Sequence, residues 1–238
     1  MEKYKKEFNY SYTFGIFPTF ELINKMPTAI EKILIHEKLK ITDDIQNLID
    51  ICNQKNIKIE YCTKQIEKIT DKENTLIVGV FKKYTKQLHS NTNHIVLVNP
   101  SDMGNLGTIF RTALGFNVQS IAIIKPCADI FNPKVIRASM GAIFSLNIEL
   151  FDSFEDYMKK HPNQNFYPFM LQAKKTLQSL DTKDKREPFS LIFGNEGSGL
   201  DQSFLNLGES IIISHSKNID SLNLPISVSI ALYEFTKK

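Results

Sequence analysis

The chain has 238 residues, 42% hydrophobic and 23% charged, which is enough apolar material for one large domain or two small ones. Its net charge of +3 is too small to mark a polyanion binder by itself; the excess lies in residues 1–90, with 15 basic and 12 acidic side chains, whereas 91–238 carry 14 of each. Cys52, Cys62 and Cys127 lack zinc or redox-pair spacing, no apolar run reaches the ~20 residues of a membrane span, and the start MEKYKKEFNYSY has no secretory h-region. The expectation is a cytoplasmic protein with reduced thiols, no metal and no membrane contact.

In chain order, a helix is expected near Thr19–Met26 and a strand over Ile30–Ile35. A helix follows from Asp43 to Lys55, acidic in its first turn, with Ile45, Leu48, Ile49 and Cys52 at helical spacing. A short strand near Lys58–Tyr61, a helix near Thr63–Ile69 and a strand Thr75–Phe81 complete a small α/β unit. Polar Lys82–Asn93 reads as a linker, so the expected domains are 1–90 and 91–238.

The second domain opens with strand His94–Val98 and a helix carrying Arg111. Strand Ser120–Ile124 follows, and Asn132-Pro133 signals a helix running through Ala142. Strand Leu146–Leu150, helix Ser153–Lys160, and strands Phe166–Leu171, Phe189–Phe193 and Ser210–Ile213 come next. Helix Leu224–Phe235, capped by Asn223, ends the chain. This alternation predicts an α/β fold with a mostly parallel sheet covered by helices on both faces.

Several chemistries are excluded by what is missing. There is no G-x-G-x-x-G after a strand and no G-x-x-x-x-G-K-[ST], which removes a dinucleotide fold and a nucleoside-triphosphate loop. Ser198 is preceded two positions earlier by Glu196, so it is no nucleophile elbow, and the five histidines are scattered.

Three segments remain where loops of a parallel sheet converge: Asn105–Arg111, the glycine-rich loop after Phe193, and Ser221-Leu222-Asn223. Each also has a structural reading. Asn105 is a candidate helix cap, Gly194, Gly197 and Gly199 suit turns, and Ser221 and Asn223 suit the start of the last helix. Arg111 is one of only three arginines among 29 basic residues. It suits a phosphate fork or an ion pair with Glu196.

Taken together, N-x-G-x-x-x-R at Asn105–Arg111, F-G-N-E-G-x-G-L at Phe193–Leu200 and S-L-N before a helix ending Leu-Tyr-Glu resemble the three ordered motifs of the SpoU/TrmH RNA ribose methyltransferases. VIRASMGAIF, residues 135–144, is similar to the stretch that family carries between its first two motifs. The resemblance spans residues 94–238. More loosely, residues 15–90 resemble the ribosomal-protein-like α/β domain that many members carry in front.

The resemblance implies a C-terminal deep trefoil knot, S-adenosylmethionine as cofactor, a homodimer, and RNA as substrate. Carried over by position, cofactor contacts fall on Gly194, Ile213 and Leu222. Catalytic roles fall on Arg111, Asn105, Glu196, Ser221 and Asn223, with Glu196 holding Arg111 or its neighbours. The implied reaction is methyl transfer to a ribose 2′-hydroxyl, with ribosomal RNA slightly favoured over transfer RNA. The alternative is a non-catalytic RNA-binding or ribosome-assembly protein on the same scaffold; base-nitrogen methylation is a third reading, carried by different motifs. The front domain, with Lys82, Lys83 and Lys86, is expected to grip RNA. Ser214-His215 departs from the family's usual Pro-Met, and Pro225 stands where a small residue is common.

Overall fold

The structure, a computed structural model, describes residues 1–70 and 74–237. The chain divides into two compact units, one comprising 1–84 with 129–145 and the other 85–128 with 146–238.

In the first unit, β1 (Tyr10–Phe14), α1 (Ile16–Lys25), β2 (Ile30–Ile35), α2 (Asp43–Gln54), β3 (Ile59–Tyr61), α3 (Thr63–Ile69) and β4 (Ile77–Lys82) follow in sequence. The four strands form one sheet in the order β1-β4-β2-β3; β1 and β2 run antiparallel to β4, and β3 runs parallel to β2. Side chains alternate across a strand, so one sequence covers two faces. Leu34, Val78 and Val80 join Tyr12, Ile66 and Ile69 on one face. Ile33, Ile35 and Ile77 join Ile23, Leu48 and Cys52 on the other.

Strand β1 has no counterpart among the expected elements, because Ser11 and Thr13 interrupt its apolar pattern. Both are fully buried and satisfied. Ser11 Oγ donates to the Phe131 carbonyl at 2.5 Å, and Thr13 Oγ1 accepts from Gly79 N at 2.9 Å. Gly79 is required at that crossing, since a Cβ there would lie 2.6 Å from Thr13 Oγ1. Helix α1 begins earlier than expected, at Ile16, because Pro18 in its first turn sacrifices no helical hydrogen bond.

In the second unit, β5 (His94–Val98), α4 (Met103–Gly115) and β6 (Ser120–Ile124) come first. The chain then returns to the first unit for 129–145, which holds α5 (Pro133–Ala138). This corrects the expected division at residue 90. Segment 129–145 groups with the first unit through the Ser11 bond and through Phe131 and Phe144, whose rings pack edge-on against Phe81. Asn132 caps α5 as expected, but the helix stops at Ala138 rather than Ala142, since Met140 and Gly141 both take positive φ. The first boundary between the units, at 84/85, falls within the segment read as a linker; inside that segment Leu88 is buried in the core of the second unit, and its N–H donates to Glu149 at 3.0 Å.

The second unit continues with β7 (Asn147–Phe151), α6 (Phe154–Lys160), β8 (Asn165–Pro168), β9 (Lys175–Thr176), β10 (Phe189–Phe193), β11 (Ile211–Ile212) and α7 (Leu224–Thr236). Five strands form an all-parallel sheet in the order β7-β6-β5-β10-β8, and β9 pairs with β11. From β5 the chain runs outward through β6 to β7, then crosses to build β8 and β10 on the other side. The order therefore reverses between β5 and β10, where a parallel sheet opens a crevice at its carboxyl ends.

At the opposite end of this sheet lies a buried polar cluster. His94 Nε2 donates to the His89 carbonyl at 2.9 Å, and Nδ1 lies 2.8 Å from the Tyr157 hydroxyl, which also meets Ser190 Oγ at 2.6 Å. His161, 1% exposed and edge-on to His94, has no hydrogen-bond partner for either ring nitrogen among the described residues. Burial pushes the His161 imidazole below its ordinary titration range, and likewise pushes His94 down to about 4. Both rings are thus neutral when folded and take up protons only on unfolding, so stability is lost as pH falls below ~6.5. His161→Leu is expected to stabilise the protein by about 1 kcal/mol at neutral pH and to flatten the acid loss, as read by urea midpoints from pH 7 to 5. A destabilised variant with an unchanged pH slope would contradict this.

Candidate active site

The loops after β5 and β10 meet at the switch point. Asn99 leaves β5 with φ of 53°, and Asn195 Nδ2 donates to its carbonyl at 2.8 Å. Asn195 Oδ1 accepts from Gly197 N at 2.9 Å and Ser198 N at 3.2 Å, closing the glycine loop on itself. Gly194 sits at the neck of that loop, where a Cβ would fall 2.1 Å from the Gly199 carbonyl carbon and 2.4 Å from Leu200 N. No other residue type fits there. Gly199, at φ of 69°, turns the chain back.

Glu196 ties this loop to the start of α4. One carboxylate oxygen accepts from Ser101 N at 3.1 Å and Ser101 Oγ at 2.8 Å; the other accepts from Asp102 N at 3.1 Å and Asn105 Nδ2 at 3.4 Å. Partial burial pushes its carboxyl up, but these donors and its own backbone N–H outweigh that and hold it below the usual range. Glu196 is therefore ionised and fully engaged, with no bond to Arg111. The expected ion pair between them is not made.

Asn105 is not the helix cap. Asp102 takes that place, its Oδ1 accepting from Asn105 N at 2.7 Å, so the Asn105 side chain is released toward Glu196. Asn223 does hold the N-cap position before Leu224, but its side chain makes no capping bond.

A cavity of about 400 Å³ opens at this point. Its walls are residues 169–172, the glycine loop 193–200, 211–213 with His215, and 221–224 with Ser227; Asn105 stands at its edge. The structure thus brings together Asn105, Gly194, Glu196, Ile213, Ser221, Leu222 and Asn223. Arg111 lies outside this lining, about two turns along α4 and out of phase with Asn105. It is exposed, with no hydrogen bond or ion pair among the described residues. Asn195, Ser101 and Asp102 were not singled out as site residues. Asn195 lies in a quoted motif, whereas Ser101 and Asp102 precede Asn105–Arg111; the signal of all three is a short polar side chain in a loop after an apolar strand, where such groups fold back onto the backbone. Among the described residues, no group of His, Cys, Asp and Glu is placed to hold a metal.

In size the cavity matches small-molecule sites of ~300–1,000 Å³. Its lining alternates apolar groups such as Phe169, Leu171 and Leu222 with amides, hydroxyls and loop backbone. That mixture fits a nucleoside carrying an amino-acid tail.

Comparison with known proteins gives the family. An uncharacterised tRNA/rRNA methyltransferase of Synechocystis is 34% identical over 141 residues, covering 59% of this chain and 51% of the relative, so the chain spans about half of that protein. The 23S rRNA (guanosine(2553)-2′-O)-methyltransferase RlmP of Bacillus subtilis is 24% identical over 88% of this chain and 82% of its own length. In fold, the chain is similar to the AdoMet-bound rRNA methyltransferase of Sinorhizobium meliloti, with a TM-score of 0.79 and 22% identity over 95% of this chain and 87% of that one. The profile of the SpoU rRNA methylase family matches residues 92–233, more than half of the chain and all of the loops that build the cavity. The chain belongs to the SpoU rRNA methylase family.

Proposed function

We propose that this protein transfers a methyl group from S-adenosylmethionine to a ribose 2′-hydroxyl of RNA, ribosomal RNA being favoured over transfer RNA by the unit in front. The observation that carries this reading is the cavity at the sheet's switch point, whose lining draws residues from all three motif segments. Gly194, Ile213 and Leu222 line it and would hold the cofactor. S-adenosylmethionine supplies an electrophilic methyl on sulfonium, so a new O–CH₃ bond forms as the S–CH₃ pair returns to sulfur.

The tasks left to the protein are orientation and charge. A ribose hydroxyl is a poor nucleophile at neutral pH and must lose its proton, which passes to solvent water, as it attacks. Arg111, with no hydrogen bond or ion pair among the described residues, grips a substrate phosphate and stabilises the negative charge developing on O2′. Guanidinium, with a pKa above ~12, keeps its own proton in this role. Asn105, Ser221 and Asn223 form the polar wall that orients the ribose. Glu196 positions Asn105 and the first turn of α4 rather than touching Arg111.

Arg111 stands outside the cavity it serves, which supports a cytoplasmic homodimer whose sites are completed by a second copy. Helix α7 packs on α4 and buries Val228, Ala231, Leu232 and Phe235. Its other face leaves Ile226, Ile230 and Tyr233 exposed at helical spacing, an apolar stripe that a second copy would cover. We assign a deep trefoil knot to the C-terminal segment on the same family grounds. Ile230→Glu is expected to shift the protein to monomer in light scattering and to lose methyl transfer; a wild-type monomer with full activity would overturn the dimer.

For RNA binding, Lys83 and Lys86 are poorly placed. Lys83 donates to the Lys6 carbonyl at 2.7 Å and Lys86 to the Leu146 carbonyl at 2.8 Å, and both are partly buried. Exposed Lys82, Lys134 and Arg137 are better candidates on the first unit. The direct test of the whole reading is calorimetric binding of S-adenosylmethionine, followed by transfer of labelled methyl to total RNA. Cofactor binding without transfer to any RNA would favour the non-catalytic alternative.

A further inference from the structure

The cavity contains one imidazole among its lining groups, and the fold fixes that ring's tautomer. His215 lines the cavity, and its Nδ1 lies 2.8 Å from the Ile213 carbonyl oxygen. A carbonyl only accepts, so Nδ1 carries the proton and the neutral ring presents a lone pair at Nε2. Nε2 has no partner among the described residues.

The backbone beside it is already engaged. Gln178 grips Ser214 on both sides: its Oε1 accepts from Ser214 N at 3.3 Å, and its Nε2 donates to the Ser214 carbonyl at 3.3 Å. With one hydrogen bond already on the Ile213 carbonyl and both Ser214 groups held by Gln178, the His215 side chain adds an unused acceptor at this turn. Two other acceptors of the lining, the Glu196 carboxylate and the Asn195 carbonyl, are spent on holding their own loop.

We infer that His215 is a cofactor-recognition residue whose Nε2 accepts a hydrogen bond from an N–H or O–H group of S-adenosylmethionine. This rests on the cofactor reading above. The ring is held by its own backbone, so little side-chain freedom is lost on binding.

The test uses the full chain and calorimetric titration with S-adenosylmethionine and 5′-methylthioadenosine, which lacks the amino-acid tail. His215→Phe keeps a ring and removes the acceptor, and is expected to weaken S-adenosylmethionine about tenfold. His215→Gln restores a carbonyl acceptor at similar reach and is expected to recover most of that loss. An equal loss for 5′-methylthioadenosine would place the donor on the nucleoside; a loss confined to S-adenosylmethionine would place it on the ammonium. Wild-type affinity in His215→Phe overturns the proposal and leaves the cofactor reading intact, as does an equal loss in Phe and Gln variants, which marks a loop-shape effect. Failure of the unaltered protein to bind S-adenosylmethionine overturns both.

Discussion

Replacing Arg111 by alanine is expected to lower methyl transfer by ~10³-fold, the scale seen when one charge-stabilising donor is removed from a transition state. Cofactor affinity should be unchanged, because Arg111 is not part of the cavity lining. Stability should also hold, since the side chain is exposed and makes no bond among the described residues. Arg111→Lys keeps the charge but not the planar fork, and should recover only a small part of the lost rate. Single-turnover transfer and calorimetric cofactor binding, measured on the same preparation, separate these effects. Full activity in Arg111→Ala would remove Arg111 from the mechanism. Lost cofactor binding would place it in the cavity instead.

The second large effect is expected at Gly194. A methyl group there would meet backbone atoms of Gly199 and Leu200 at 2.1 to 2.4 Å, and backbone cannot swing aside as a flexible side chain can. The loop 194–200 must open to admit it, breaking the contacts that Asn195 and Glu196 make with Asn99, Ser101 and Asp102. Gly194→Ala should therefore weaken S-adenosylmethionine binding by roughly a hundredfold or more and lower the melting temperature. Gly197→Ala is the control, since the nearest atom to its added Cβ is a side-chain oxygen at 3.5 Å. Equal cofactor affinity in wild type and Gly194→Ala would show that this neck does not shape the binding site.

Much of this architecture is legible in the sequence, and the exceptions share physical causes. Strands 30–35, 94–98, 120–124 and 189–193 coincide with the expected segments residue for residue, because each holds at least three consecutive apolar residues. Strand β1 is hidden because its polar residues are buried through hydrogen bonds to distant partners, which periodicity does not register. The break at Met140–Gly141 depends on left-handed backbone that the helical pattern of 133–142 does not announce.

The site divides in the same way. Its members are readable from their motifs, but their pairings are not. Asn105 reads equally well as a cap or as an orienting group, and only the position of Asp102 at the helix start decides between them. Glu196 and Arg111 look like an ion pair in sequence. In the fold, four donors from Ser101, Asp102 and Asn105 already occupy Glu196, and Arg111 makes no ion pair among the described residues. That leaves an unneutralised guanidinium on the helix that frames the cavity, which a substrate phosphate would satisfy.

The most direct test of the central claim is the chemical position of the transferred methyl. RNA incubated with the protein and methyl-labelled S-adenosylmethionine is digested to nucleosides and separated by chromatography. The account predicts label in a 2′-O-methylnucleoside, at one position of one RNA, and none when Arg111→Ala replaces the wild-type protein. Label on a nucleobase, or no label in any RNA despite bound cofactor, would contradict it.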